Sequence, residues 1–216
     1  MFNLLRNSFS AKVKQQDKCD ISGNAYKSFV YYALKESDYF TFHLPNYNHF
    51  YVTEKNINLL PNEMKCDINN LTDNVKDNEI FNRYKKNVTP LIDLIRNQIV
   101  FSYYDVSYLN NIFNYGTEVF IIRIIDFDSC YRFFTAAESV FSWKFDYFPE
   151  DICFFSNEKC WLQIVSHEQL IMFKGKAEQE ETLKKYGFAF LNMKTDIELP
   201  TIKGTTGDGS VSYVNS

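Results

Sequence analysis

No stretch of the 216-residue chain holds the roughly 18 consecutive uncharged apolar residues that a membrane helix needs. The most apolar window, residues 119–125, is short and carries Arg123, so no membrane span is expected. The first nine residues offer no apolar run followed by a small-residue cleavage site, so a secretory leader is not expected and the mature chain is expected to begin at Met1. An excess of positive charge is also missing. The 23 basic residues are outnumbered by 27 acidic ones, giving a net charge of −4, which argues against a broad nucleic-acid surface. Cysteines are few, odd in number and scattered at 19, 66, 130, 153 and 160, with no Cys-x-x-Cys pair. That pattern fits reduced thiols used as small core residues and points to the cytosol. Asn70-Leu71-Thr72 and Asn87-Val88-Thr89 match the glycosylation acceptor, but without export the match carries no meaning.

Catalytic signatures are missing as well. Gly-x-Ser-x-Gly is absent. His167-Glu168-Gln169-Leu170-Ile171 supplies only the first half of a zinc-protease helix, because Ile171 cannot ligate a metal. His167 with Cys153 and Cys160 fits no usual zinc spacing, and it reads more simply as a structural histidine after a strand. The tail Gly204-Thr205-Thr206-Gly207-Asp208-Gly209 shares only its glycines with a phosphate loop.

What the chain has in abundance is aromatic residues: 21 Phe, 15 Tyr and 2 Trp, 18% of the whole. They supply large anchors for a core or a recognition surface. The 21 Asn against 7 Ala indicate AT-rich codons, a bias that raises Phe, Tyr, Ile, Asn and Lys without functional cause.

The pattern along the chain predicts an α+β fold with a mostly antiparallel sheet and several flanking helices, in one compact domain over residues 21–200. Residues 1–20, with Arg6, Lys12, Lys14 and Lys18, read as a loosely held arm that could touch RNA or an acidic partner, and residues 201–216 as a flexible tail or loosely docked strand. Ser22 caps a helix through about Lys35 that turns Tyr26, Phe29, Val30, Ala33 and Leu34 inward. Residues 39–44 and 50–53 read as a hairpin around Pro45-Asn46-Tyr47-Asn48. A long acidic connection follows. From Ile80 to Ile95 the helical spacing returns, with Thr89-Pro90 splitting the run into two helices or kinking one. Residues 99–104 and 119–127 read as strands, the second central, and Asp128 or Ser129 as the cap of a helix containing Phe133, Ala136, Ala137, Val140 and Phe141. Residues 152–155 and 160–165 form a second hairpin signal. If Phe155 pairs with Cys160, Cys153, Phe155, Cys160 and Leu162 share one face. A strand at 170–173 and a charged helix closed by Gly187 complete the domain.

Two small constellations merit a chemical reading. His43 and His49 flank the first hairpin turn with no carboxylate nearby, which favours polar strand-end roles. Asp126 and Asp128 share a face if the strand before them continues, and paired carboxylates can hold a divalent cation; strand termination and helix capping explain the same residues.

Phe148-Pro149-Glu150-Asp151-Ile152-Cys153-Phe154-Phe155, Cys160-Trp161-Leu162, Val165-Ser166-His167-Glu168 and Glu181-x-x-Leu183 with Tyr186-Gly187-Phe188 form a pattern over residues 148–188. This pattern resembles small bacterial proteins that look like immunity proteins of toxin–immunity systems. The resemblance implies a cytosolic, non-enzymatic inhibitor that occludes a cognate toxin's active site. On that reading the partner is a protein toxin, and no nucleic acid, membrane, cofactor or small-molecule substrate is expected. Acidic residues could steer a basic toxin, through Asp67, Asp73, Asp77 and Glu79 or through the corner Glu150 and Asp151; solvated loops explain the same residues. The rival expectation is a small metal-dependent hydrolase or nuclease using Asp126, Asp128 and His167. A third is a structural or regulatory protein of a mobile element that binds some other host partner.

Overall fold

The computed structural model describes residues 13–16, 20–46, 79–105, 116–144, 147–193, 199–204 and 211–214. Strand β1 is Val13–Gln16, helix α1 is Gly23–Lys35 and β2 is Tyr39–Asn46. Helix α2, Glu79–Ile95, leads through a short 3-10 turn, Arg96–Gln98, into β3, Ile99–Asp105, and then β4, Gly116–Arg123. Helix α3, Phe127–Phe134, precedes β5, Glu150–Ser156, and β6, Lys159–Val165. A 3-10 turn, Ser166–Glu168, joins β6 to β7, Leu170–Phe173, and α4, Ala177–Lys185, precedes β8, Phe190–Met193. Strands β9, Thr201–Gly204, and β10, Val211–Val214, close the chain.

The strands form one sheet in the order β3-β4-β2-β5-β6-β7-β1-β8, with β9 paired to β6 and β10 to β9. Every pairing is antiparallel. The α+β architecture anticipated from the pattern is therefore the fold. The four described helices bury residues against one sheet face: Phe29 and Leu34 of α1, Ile95 of α2, Phe133 of α3 and Leu183 of α4 meet Phe40, Phe42, Phe154 and Ile164. A smaller core of Ile121, Cys153, Phe155, Cys160 and Met172, covered by Leu199 and Ile202, occupies the other face. Burying both faces explains why the central strands carry near-continuous apolar runs.

The local chemistry shows why each element forms. The buried stripe of α1 is Tyr26, Phe29, Val30, Ala33 and Leu34, as its spacing predicts. Ser22 stands at its N-cap, yet its side chain makes no capping bond. The end of α4 is a Schellman motif: the Gly187 amide donates to the Lys184 carbonyl and the Phe188 amide to the Leu183 carbonyl. Gly187 sits at φ +101°, where a side chain would be strained.

Several expectations are corrected. Val13–Gln16, inside the segment read as a loose arm, is a strand inserted between β7 and β8. Pro45-Asn46 continues β2 opposite β4 instead of turning, and the proposed partner at 50–53 lies outside the described residues. Of the two arrangements open for residues 80–95, one helix and not two is found: α2 runs through Pro90, which removes one amide from its hydrogen-bond ladder. Helix α3 stops at Phe134, well short of Val140 and Phe141, which lie in a separate 3-10 turn. Phe155 does pair with Cys160, but Phe154 pairs with Leu162, leaving Trp161 as an extra residue. This bulge moves Leu162 away from Cys153, Phe155 and Cys160 and into the helix-covered core, because one inserted residue breaks the alternation of faces.

Candidate functional site

Two places in the described structure gather side chains beyond what packing requires. The first lies at the start of β5. Between the pairs Thr41–Cys153 and His43–Glu150 the register slips, so Asp151 and Ile152 together oppose Phe42. Asp151 takes a left-handed backbone, φ +52°, as the irregular residue. The irregularity turns its carboxylate inward, where it is only 3% exposed. Its Oδ1 lies 3.5 Å from His167 Nδ1 and its Oδ2 lies 3.9 Å from His43 Nδ1. On the far side of the imidazole, His167 Nε2 is 3.9 Å from Glu168 Oε1. A left-handed backbone at a non-glycine costs about 1–3 kcal/mol and persists only where the surroundings hold it.

This geometry corrects the reading of Asp151 as a surface charge that steers a partner: it is buried between two histidines, while Glu150 is half-buried at the start of the strand. The alternation pattern hid this because a strand start reads as an exposed corner until the bulge is placed. Asp67, Asp73 and Asp77 lie outside the described residues, and Glu79 is the first residue of α2. His49 likewise lies outside them. Cys153 and Cys160 belong to the smaller core, and no group of three or more His, Cys, Asp or Glu among the described residues could hold a metal ion.

Asp126 and Asp128 do not form a paired carboxylate site. The strand ends at Arg123, and Asp126 is the N-cap of α3. Its Oδ1 accepts from the Asp128 amide at 3.1 Å and the Ser129 amide at 3.2 Å, and its Oδ2 accepts from the Ser129 hydroxyl at 2.6 Å. Those bonds, the Ser129 hydroxyl foremost, hold its carboxyl below the usual carboxylate range.

The second place is the outer face shared by α1 and α3. Here Tyr31 is 51% exposed and meets Phe127 edge-on at 5.1 Å and Tyr131 at 6.3 Å. Phe127 and Tyr131, one helical turn apart, stack at 6.2 Å. The Lys35 ammonium lies 4.7 Å from the Phe127 centroid and 5.7 Å from that of Tyr31. Just before Phe127, Ile125 is 69% exposed. The loop that carries it is tied down from below. The side-chain oxygen Oε1 of the buried Gln98 accepts from the Ile125 amide at 2.9 Å, the Asp126 amide at 2.8 Å and the Cys130 thiol at 3.4 Å. Sequence reasoning singled out none of these surface residues. The available signal was Tyr31 lying off the buried stripe of α1, flanked four residues either way by Lys27 and Lys35.

The residues that carry the resemblance to immunity proteins are mainly core: Phe154, Phe155, Cys160, Trp161, Leu162, Leu183 and Phe188 are all buried. They build the β5–β6 hairpin and seat α4 on it. Comparison with protein-family models, with curated proteins and with solved structures returns no match.

Proposed function

We propose that this chain is a non-enzymatic protein-binding module that neutralises a cognate bacterial toxin by covering its active site. The observation that carries the proposal is the half-open Tyr31 ring, seated on the partly buried Phe127 and Tyr131, together with the exposed Ile125. Rigid aromatic rings held at a surface with a cationic neighbour are the composition of binding hot spots, and they bury large area at small entropic cost. Nothing in the packing of the domain calls for Ile125 in water, yet two hydrogen bonds to Gln98 fix the loop that puts it there. The proposal places the chain in the cytosol, in keeping with the free, buried Cys130, Cys153 and Cys160. No helix among the described residues is long and apolar enough to cross a membrane.

The test is co-expression with the product of the gene immediately upstream, which on this reading arrests growth when expressed alone. Restored growth together with a stoichiometric complex is the expected result; unrestored growth with no complex rejects the reading.

One observation favours a second reading. The buried Asp151 carboxylate faces His167 Nδ1, the arrangement by which a carboxylate orients an imidazole as a proton acceptor at Nε2. The metal-dependent version on Asp126 and Asp128 has no such support, since the Asp126 carboxylate is engaged in its cap. A hydrolase or nuclease activity abolished by His167→Ala, with folding intact, would favour this second reading.

A further inference from the structure

We infer that the α1–α3 face docks an acidic segment of a partner protein, one that offers an apolar side chain flanked by carboxylates. The inference rests on the protein-binding half of the reading above and not on the partner being a toxin. The apolar part follows from the aromatic cluster, where Tyr31 and Ile125 are open to water and the loop beneath them is held by Gln98.

The charge of the docked segment follows from the rim. Lys27, Tyr31 and Lys35 stand four residues apart on α1, so the two ammonium groups bracket the exposed ring on one helical face. Among the described residues neither lysine forms an ion pair, and the Lys35 ammonium instead lies over the Phe127 and Tyr31 rings. Arg132, exposed on α3 next to Tyr131, adds a third positive charge. The exposed acids around the two helices are Glu36, Asp38, Asp126, Asp128 and Glu138. The Asp126 carboxylate accepts three cap hydrogen bonds and lies within the field of Arg132, Asp38 accepts from the Asn157 amide and Glu36 from the Gln179 side chain. The two lysines that bracket Tyr31 are left without an anionic partner among the described residues. A carboxylate arriving there would pair with Lys27 or Lys35 while its apolar neighbour packed on Tyr31, and desolvation at the rings would strengthen both contacts.

The experiment is a titration of the full-length, isotope-labelled protein, followed by amide chemical shifts, with three probes. The first is a peptide with one tryptophan between runs of glutamate, the second the same peptide with lysine for glutamate, and the third a single-stranded oligothymidylate. The expected result is that the glutamate peptide alone shifts Tyr31, Lys35, Phe127 and Tyr131, more weakly at high salt. Tyr31→Ala combined with Lys35→Glu, both at exposed positions, then lowers its affinity about tenfold or more. Equal binding of the lysine peptide, preference for the oligonucleotide, or shifts that map elsewhere up to millimolar peptide overturn the inference. Failure here and failure of the toxin reading are separable. A toxin neutralised equally well by the double variant sinks the docking face alone, and peptide binding without neutralisation sinks the toxin alone.

Discussion

Tyr26 and Tyr31 lie five residues apart in one helix and have opposite fates. Tyr26 is 1% exposed; its hydroxyl donates to the Phe134 carbonyl at 2.8 Å and accepts from the Trp143 indole at 2.7 Å. Burial pushes its phenol far above the ordinary range for tyrosine. Tyr31, turned away from the core, is half open to water and gathers Phe127, Tyr131 and Lys35 around it. The first cluster ties α1 to the end of α3 and to the segment that leads into β5. The second joins the same two helices at the surface, with the Tyr31 ring open to water. Helical phase decides which aromatic of α1 enters the core and which stays open to water.

The comparison can be tested by its stability consequences. Trp143→Ala removes a fully buried ring packed on Phe133, Phe134 and Phe148 and should cost about 3–5 kcal/mol, read by chemical denaturation. Tyr26→Phe keeps the ring but strands the Trp143 indole N–H in the core, with an expected loss of about 1–3 kcal/mol by the same measurement. Asp126→Ala removes the cap of α3 and should lower the melting temperature modestly, with Asp126→Asn restoring most of it. That contribution fades in acid: the carboxyl is held low in the folded state, so the stability is present above its unfolded pKa and lost as pH falls through the folded one. The smallest effect belongs to the open cluster: Tyr31→Ala should change stability by no more than about 0.5 kcal/mol. A large loss there would show Tyr31 to be a packing residue and erase the contrast.

Alkaline pH sharpens the same comparison. Burial pushes the Cys130 thiol up to about 12, and it raises Tyr26 as well. Both groups keep their protons in the native state at a pH where the unfolded chain has released them. The stability they supply is complete below their unfolded pKa values, about 8.5–10, and is lost as pH rises through the folded values. Stability measured from pH 8 to 11 should therefore fall, with the Tyr26→Phe variant falling less steeply than the parent.

Much of the architecture was legible because it rests on periodicity. The stripe of α1, the β5–β6 hairpin with its Phe155–Cys160 pair and the glycine-closed end of α4 follow from spacing and turn chemistry alone. What pattern could not show was the effect of single inserted residues. The slip at Asp151 buried a carboxylate that read as surface charge, and the extra Trp161 sent Leu162 to the other face. Bulges are set by tertiary fit, and neither leaves a mark on the alternation that precedes it. Asp126 was legible as a helix start but not as the capping residue itself, because Asp128 and Ser129 are equally good caps. The aromatic face escaped notice for a different reason: it joins α1 to α3 across almost a hundred residues of sequence.

The most direct test of the account is a calorimetric titration of the neighbouring gene's product with the parent chain and with the combined Tyr31→Ala and Lys35→Glu variant, at low and high salt. A tight 1:1 complex with the parent, weakened about tenfold or more in the variant whose melting temperature is unchanged, is the expected result. Equal affinity of the two chains would contradict the claim that the α1–α3 face is the binding surface.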